Sequence, residues 1–134
     1  MAGGTFGTVV NCIDGRVQEP VAAWVKTQFG VDYVDMVTAP GPDGILTKGA
    51  PEAVGRIRDD IRVSQQAHGS AVLAVAGHQG CAGYPVSPDE HLTAIRAAAA
   101  ILSSWGLPMR VVGLWVNDTG QVRVVSDSAD TDGV

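Results

Sequence analysis

Ala71-Val72-Leu73-Ala74-Val75-Ala76 is an unbroken apolar run, and Gly77-His78-Gln79-Gly80-Cys81-Ala82-Gly83 follows it at once. A run with no polar alternation describes a strand covered on both faces, as in a parallel sheet. The small-residue stretch behind it reads as a loop at that strand's carboxyl end. Downstream, Ser87 and Glu90 stand in capping-box spacing around Pro88. They open a helix that carries Leu92, Ile95, Ala99 and Leu102 inward, until Gly106 and Pro108 close it. A strand over 110–116 follows, and Asn117-Asp118-Thr119-Gly120 turns the chain into a short last strand over 121–125, antiparallel at an edge. Upstream, Val54, Ile57 and Ile61 mark a helix over 51–67. Ala39-Pro40-Gly41-Pro42-Asp43-Gly44, with its close-set prolines and glycines, reads as a loop after a strand over 32–37. Pro20 opens the first helix, whose apolar stripe is Val21, Trp24 and Val25 and whose end is Gly30. The first strand covers 7–12. Strands alternating with helices predict an α/β fold of three layers, a mostly parallel sheet of order 2-1-3-4 with a short antiparallel edge strand, flanked by helices.

The chain has 134 residues, the length of one domain, and its small, polar, acidic stretch 126–134 reads as a frayed tail. A hydrophobic fraction of 46% and a charged fraction of 17% exclude a disordered or fibrous chain. Wholly apolar runs such as Ala97 to Leu102 are far short of the ~18 residues of a membrane span. The start of the chain lacks the basic residues of a secretory signal, so a cytoplasmic protein without membrane partners is expected. Fourteen acids against nine bases leave a net charge of −5, which disfavours nucleic acid as a partner. Two cysteines are too few for a disulfide scaffold.

Those two cysteines carry the functional signal. Cys12 ends the first predicted strand, and His78 and Cys81 follow the third. In a sheet of order 2-1-3-4 these strand ends are neighbours where the strand order reverses, the usual ligand crevice of an open α/β sheet. Two thiolates and an imidazole form a three-ligand zinc set with one tetrahedral position open, the catalytic rather than the structural arrangement. Two other readings fit the same spacing: inert buried cysteines, and a thiol pair able to form a disulfide. Alternate residues leaving a strand can share a side, so Asp14 and Arg16 are candidates for the same crevice. An arginine beside a carboxylate keeps it ionised and oriented. Phosphate-loop, Walker and serine-hydrolase patterns are absent from the sequence.

Cys12-Ile13-Asp14-Gly15-Arg16 resembles the Cys-x-Asp-x-Arg motif of β-class carbonic anhydrases, and His78-Gln79-Gly80-Cys81 resembles that family's His-x-x-Cys. Gly113-Leu114-Trp115-Val116-Asn117-Asp118-Thr119-Gly120 is similar to its closing strand pair. The resemblance spans roughly residues 8–125. It implies a Zn2+ enzyme hydrating carbon dioxide to bicarbonate, with Cys12, His78 and Cys81 as ligands and Asp14 and Arg16 as a catalytic dyad. It also implies a homodimer or larger homo-oligomer. Relatives with the same ligands hydrolyse carbonyl sulfide or carbon disulfide, and a zinc-holding protein without activity is a further alternative. Two departures stand out. Family members carry N-terminal helices before the first strand, which here begins within about seven residues, and the family's Arg-Asn-Ala-Gly loop is Thr38-Ala39-Pro40-Gly41. Among the remaining residues, His68 reads as structural at a helix end and His91 as a candidate proton shuttle. Gln79 and Tyr84 are candidates for substrate contact, Trp24 and Trp105 for the core, and Trp115 for a subunit interface.

Overall fold

The computed structural model describes residues 4–130. Five strands, β1 (Phe6–Cys12), β2 (Tyr33–Ala39), β3 (Val72–His78), β4 (Arg110–Val116) and β5 (Val122–Asp127), form one sheet of order β2-β1-β3-β4-β5. The first four are parallel and β5 runs antiparallel to β4 at the edge, as expected from sequence. Four helices flank the sheet: α1 (Gln18–Phe29), α2 (Pro42–Lys48), α3 (Pro51–His68) and α4 (Pro88–Ser104).

Strand periodicity splits the core into two layers. Val9, Ala74, Ala76, Val112 and Leu114 face α1 through Val21 and Val25. Val10, Leu73, Val75 and Val111 face the other way, onto Leu46 of α2, Ile57 and Ile61 of α3, and Ala98 and Leu102 of α4. All seven residues of β3 are buried, which is why it reads as an apolar run with no alternation. β1 and β3 are neighbours whose connections leave toward opposite faces of the sheet, so the crevice opens between the ends of these two strands.

Three details differ from the sequence reading. The stretch expected to be a loop over 39–44 holds only a two-residue connection, Pro40 and Gly41, between β2 and α2. Gly41 adopts the left-handed region (φ 63°) as N-cap and Pro42 takes the first helical turn, so two loop signals serve as a helix start. On α4 the inward stripe includes His91, while Leu92 is half-buried. The chain also stays ordered past Ser126, where the tail was expected to fray: β5 reaches Asp127, the Ser128 amide donates to the Val111 carbonyl (2.8 Å), and Arg110 pairs with Asp127. Residues 131–134 of that tail lie outside the described residues. No helix among the described residues is long and apolar enough to cross a membrane.

Candidate metal centre

At the end of β1, Asn11 is buried and does two jobs. Its side-chain carbonyl accepts the Cys12 amide (2.9 Å), and its amide group donates to the Val17 carbonyl (3.2 Å). The Gln18 side chain donates to the Cys12 carbonyl. A short 3-10 turn over Gly15–Val17 is thereby folded back onto the strand end, with Asp14 as its cap. At the end of β3, the Gln79 amide donates to the Val116 carbonyl (3.0 Å), extending the β3–β4 ladder past His78. Gly80 (φ 71°) then turns the chain. Gly83 brings the returning backbone against residues 40 and 41, where a Cβ would stand 2.5 Å from the Pro40 carbonyl carbon. Only glycine permits that approach, and it sets the position of Cys81 two residues earlier.

These constraints bring Cys12, His78 and Cys81 together, all three buried, with their ligand atoms within 4.8 Å of one another. The two sulfurs are 3.9 Å apart and unbonded. Two thiolates on one tetrahedral zinc, each at ~2.3 Å, stand ~3.8 Å apart, so the spacing suits a shared ion. The His78 Nδ1–H donates to the Gln79 carbonyl (2.9 Å). In the neutral imidazole that bond puts the proton on Nδ1 and the lone pair on Nε2, the tautomer of a metal-binding imidazole. Nε2 is buried and has no hydrogen-bond partner. Burial pushes the Cys81 thiol up to about 11, opposed by the amides of Tyr84 and Gly83 on its sulfur. A thiol so placed becomes a thiolate near neutral pH when a cation replaces its proton. The residues fit a soft divalent metal.

Asp14 and Arg16 form a closed pair at the rim. The Arg16 guanidinium donates from Nε (3.0 Å) and Nη2 (2.6 Å) to the two carboxylate oxygens, and its backbone amide adds a third bond (2.9 Å). These donors hold the Asp14 carboxyl well below the usual carboxylate range, with His78 nearby adding to the effect. Arg16 also reaches the Gly80 carbonyl (3.4 Å), tying the first motif to the second. Arg16, Val17, His78, Gly80, Val116 and the Asn117 turn line a cleft of about 250 Å³.

A family model described as "Putative carbonic anhydrase" matches residues 2–126 of the chain. The chain belongs to this carbonic anhydrase family. The resemblance seen in the two short motifs thus extends over nearly the whole sequence. Among solved structures, the chain is similar to a tetrameric β-carbonic anhydrase of the filamentous ascomycete Sordaria macrospora, at 14% identity. The match covers 91% of this chain and 81% of that one, with a TM-score of 0.49. No curated protein matches the chain.

The other singled-out residues of this carbonic anhydrase family member fall away from the cleft or into its walls. His68, in the last turn of α3, pairs with Asp35 (2.6 Å) and stacks on Phe6, at the opposite end of the strands. Gln79 lines the cleft with its side chain exposed. Trp115 is buried in its own chain against His91. Trp24 packs on the α1 side of the sheet and Trp105 on the other. His91 is only 1% exposed, lies beneath Tyr84 and pairs with Asp43, so it has no direct route for passing protons to solvent. Asp43 and Asn11 were not picked out from sequence. The pattern around Asp43, an acid directly after a proline, signals a helix start and not a buried partner.

Proposed function

We propose that this chain is a zinc enzyme that hydrates carbon dioxide to bicarbonate and a proton, with Cys12, His78 and Cys81 as metal ligands. The observation that carries the reading is the buried, unpartnered His78 Nε2 grouped with two buried thiols at metal-ligand spacing. Zinc in that group would supply a Lewis acid able to make a water acidic enough to serve as hydroxide near neutral pH. Two thiolates cancel the ion's formal charge, so alkaline activity is expected.

The protein's own residues supply the rest. Cys12, His78 and Cys81 would hold the ion, one side chain fewer than a closed structural site takes. Arg16 engages both oxygens of Asp14, which keeps the carboxylate ionised and turned as a hydrogen-bond acceptor that orients the attacking water. Val17 and Val116 give the cleft an apolar wall suited to a small linear molecule. Carbonyl sulfide and carbon disulfide share that shape. An apolar pocket separates such substrates by only ~1–3 kcal/mol, and carbon dioxide is the substrate class assigned. Assembly into at least a dimer belongs to the same reading, supported by Ile13, 64% exposed between a ligand and the dyad.

Elemental analysis of purified chain tests the ligand set. About one zinc per chain is expected, lost in Cys81→Ser together with part of the fold's stability. Zinc-free protein from a metal-replete preparation would overturn it. Comparing kcat/KM for carbon dioxide and carbonyl sulfide on one preparation tests the substrate, a preference for carbonyl sulfide reversing the assignment.

A further inference from the structure

Beneath the loop that carries Cys81 lies a second polar cluster that the reaction above does not use. Asp43 and His91 are 0% and 1% exposed, and His91 Nδ1 is 2.6 Å from Asp43 Oδ2. Asp43 Oδ1 and His91 Nε2 are buried with no partner in protein. Buried polar atoms left unpaired are rare and call for a reason. The pair spans α2 and α4, 48 residues apart in sequence.

Its surroundings point toward the metal ligands. The His91 ring meets the Tyr84 ring edge-on, with centroids 5.3 Å apart and planes at 88°. Tyr84 lies on α2 so closely that a Cβ at Gly44 would be 2.5 Å from its ring, and one at Gly41 would be 2.9 Å from its backbone nitrogen. That same Tyr84 backbone amide, with that of Gly83, acts on the Cys81 thiol against the upward push of burial. On its other side, Asp43 Oδ2 fills the space that a side chain at Gly77 would need, 2.8 Å from a Cβ there, next to His78 in the chain. The pair therefore touches what precedes one candidate ligand and, through one aromatic ring, the amides on another.

Resting on the metal reading above, we propose that Asp43 and His91 are positioning residues for the Cys81 ligand. By locking α2 to α4 under Tyr84, they hold the Gly83 and Tyr84 amides on the Cys81 sulfur. Amides aimed at a ligand sulfur tune the bond that the sulfur makes to a metal, and groups that orient metal ligands typically change metal affinity 10–100-fold when removed. The tyrosine is the link, and the buried pair is its foundation.

The test uses the full chain in two states. In the metal-free chain, amide hydrogen exchange at Gly83 and Tyr84 reads the positioning directly. In the cobalt(II)-loaded chain, the thiolate-to-cobalt absorption band and the affinity under chelator competition read its effect on the ligand. His91→Asn and Tyr84→Leu are expected to speed exchange at both amides, shift the band and weaken cobalt binding at least ~10-fold. Asp43→Asn, nearly isosteric, is expected to shift the same three readouts to a smaller extent. Leu102→Ala, a core change far along α4, is expected to lower the melting temperature and leave the band in place. Unchanged amide exchange and an unchanged band in His91→Asn and Tyr84→Leu would overturn the proposal, as would an equal shift in Leu102→Ala. If His91→Asn and Tyr84→Leu do not fold, an unmoved band and affinity in Asp43→Asn overturn it. A wild-type chain with no thiolate–cobalt band would instead overturn the metal reading itself, whatever the exchange data show.

Discussion

A single carboxylate and a single thiol carry the sharpest consequences at the scale of residues. Asp14 is bonded by three donors of Arg16, so its charge and its direction are both fixed. Asp14→Asn keeps the shape and removes the charge. Retained zinc is expected, with carbon dioxide hydration down ~10²-fold or more, the scale of a lost acid–base or orienting group. Metal content and turnover measured on the same sample check it, and near wild-type turnover would remove Asp14 from the mechanism. Cys81 gives a pH prediction for the metal-free chain. Burial raises its folded pKa to about 11 from an ordinary 9.0, so its contribution to stability is fully present below about pH 9. That contribution is lost as pH rises through 11, because the unfolded chain releases the proton first. Urea unfolding of metal-free wild type and Cys81→Ser between pH 8 and 11 isolates it. The stability difference between the two is expected to fall as pH rises, and a pH-independent difference would contradict the assignment.

Loops, rather than strands or helices, set the geometry of the centre at the scale of elements. Gly83 lets residues 80–84 lie against Pro40 and Gly41, with no room for a Cβ. Gly83→Ala is expected to destabilise the chain by ~1–3 kcal/mol, the cost of forcing extra atoms into a packed site. Because Cys81 is two residues away, zinc should also dissociate faster. Thermal melts with and without metal check both, and a variant as stable and as tight as wild type would mean the loops give way cheaply. The elements themselves were legible to different degrees. β3 announced itself because burial on both faces leaves no polar position, and α4 because Ser87 and Glu90 form a complete capping box. The grouping of Cys12, His78 and Cys81 was legible because strand order brings two strand ends together. α2 was not, since its seven residues make under two turns, too few for a periodic stripe. The partner of Asp43 was illegible for another reason. Nothing local distinguishes an aspartate that meets a histidine 48 residues later from one that faces water.

For the whole molecule, apolar side chains stand open both beside the crevice between β1 and β3 and on the edge of the sheet. Ile13 is 64% exposed at the crevice rim, and Val124 is 45% exposed on the edge strand β5. Apolar side chains left open at a rim and an unpaired strand edge are the surfaces that two-fold assemblies cover. Light scattering at micromolar concentration is expected to give at least twice the 13.8 kDa chain mass, and a fully active 13.8 kDa species would count against assembly. The claim on which the rest depends is the reaction. Stopped-flow hydration of carbon dioxide by the zinc-loaded chain tests it most directly. The account predicts turnover well above the buffer background, rising toward alkaline pH and lost when zinc is removed. A chain holding one zinc at Cys12, His78 and Cys81, with no hydration above background at any pH, would contradict it.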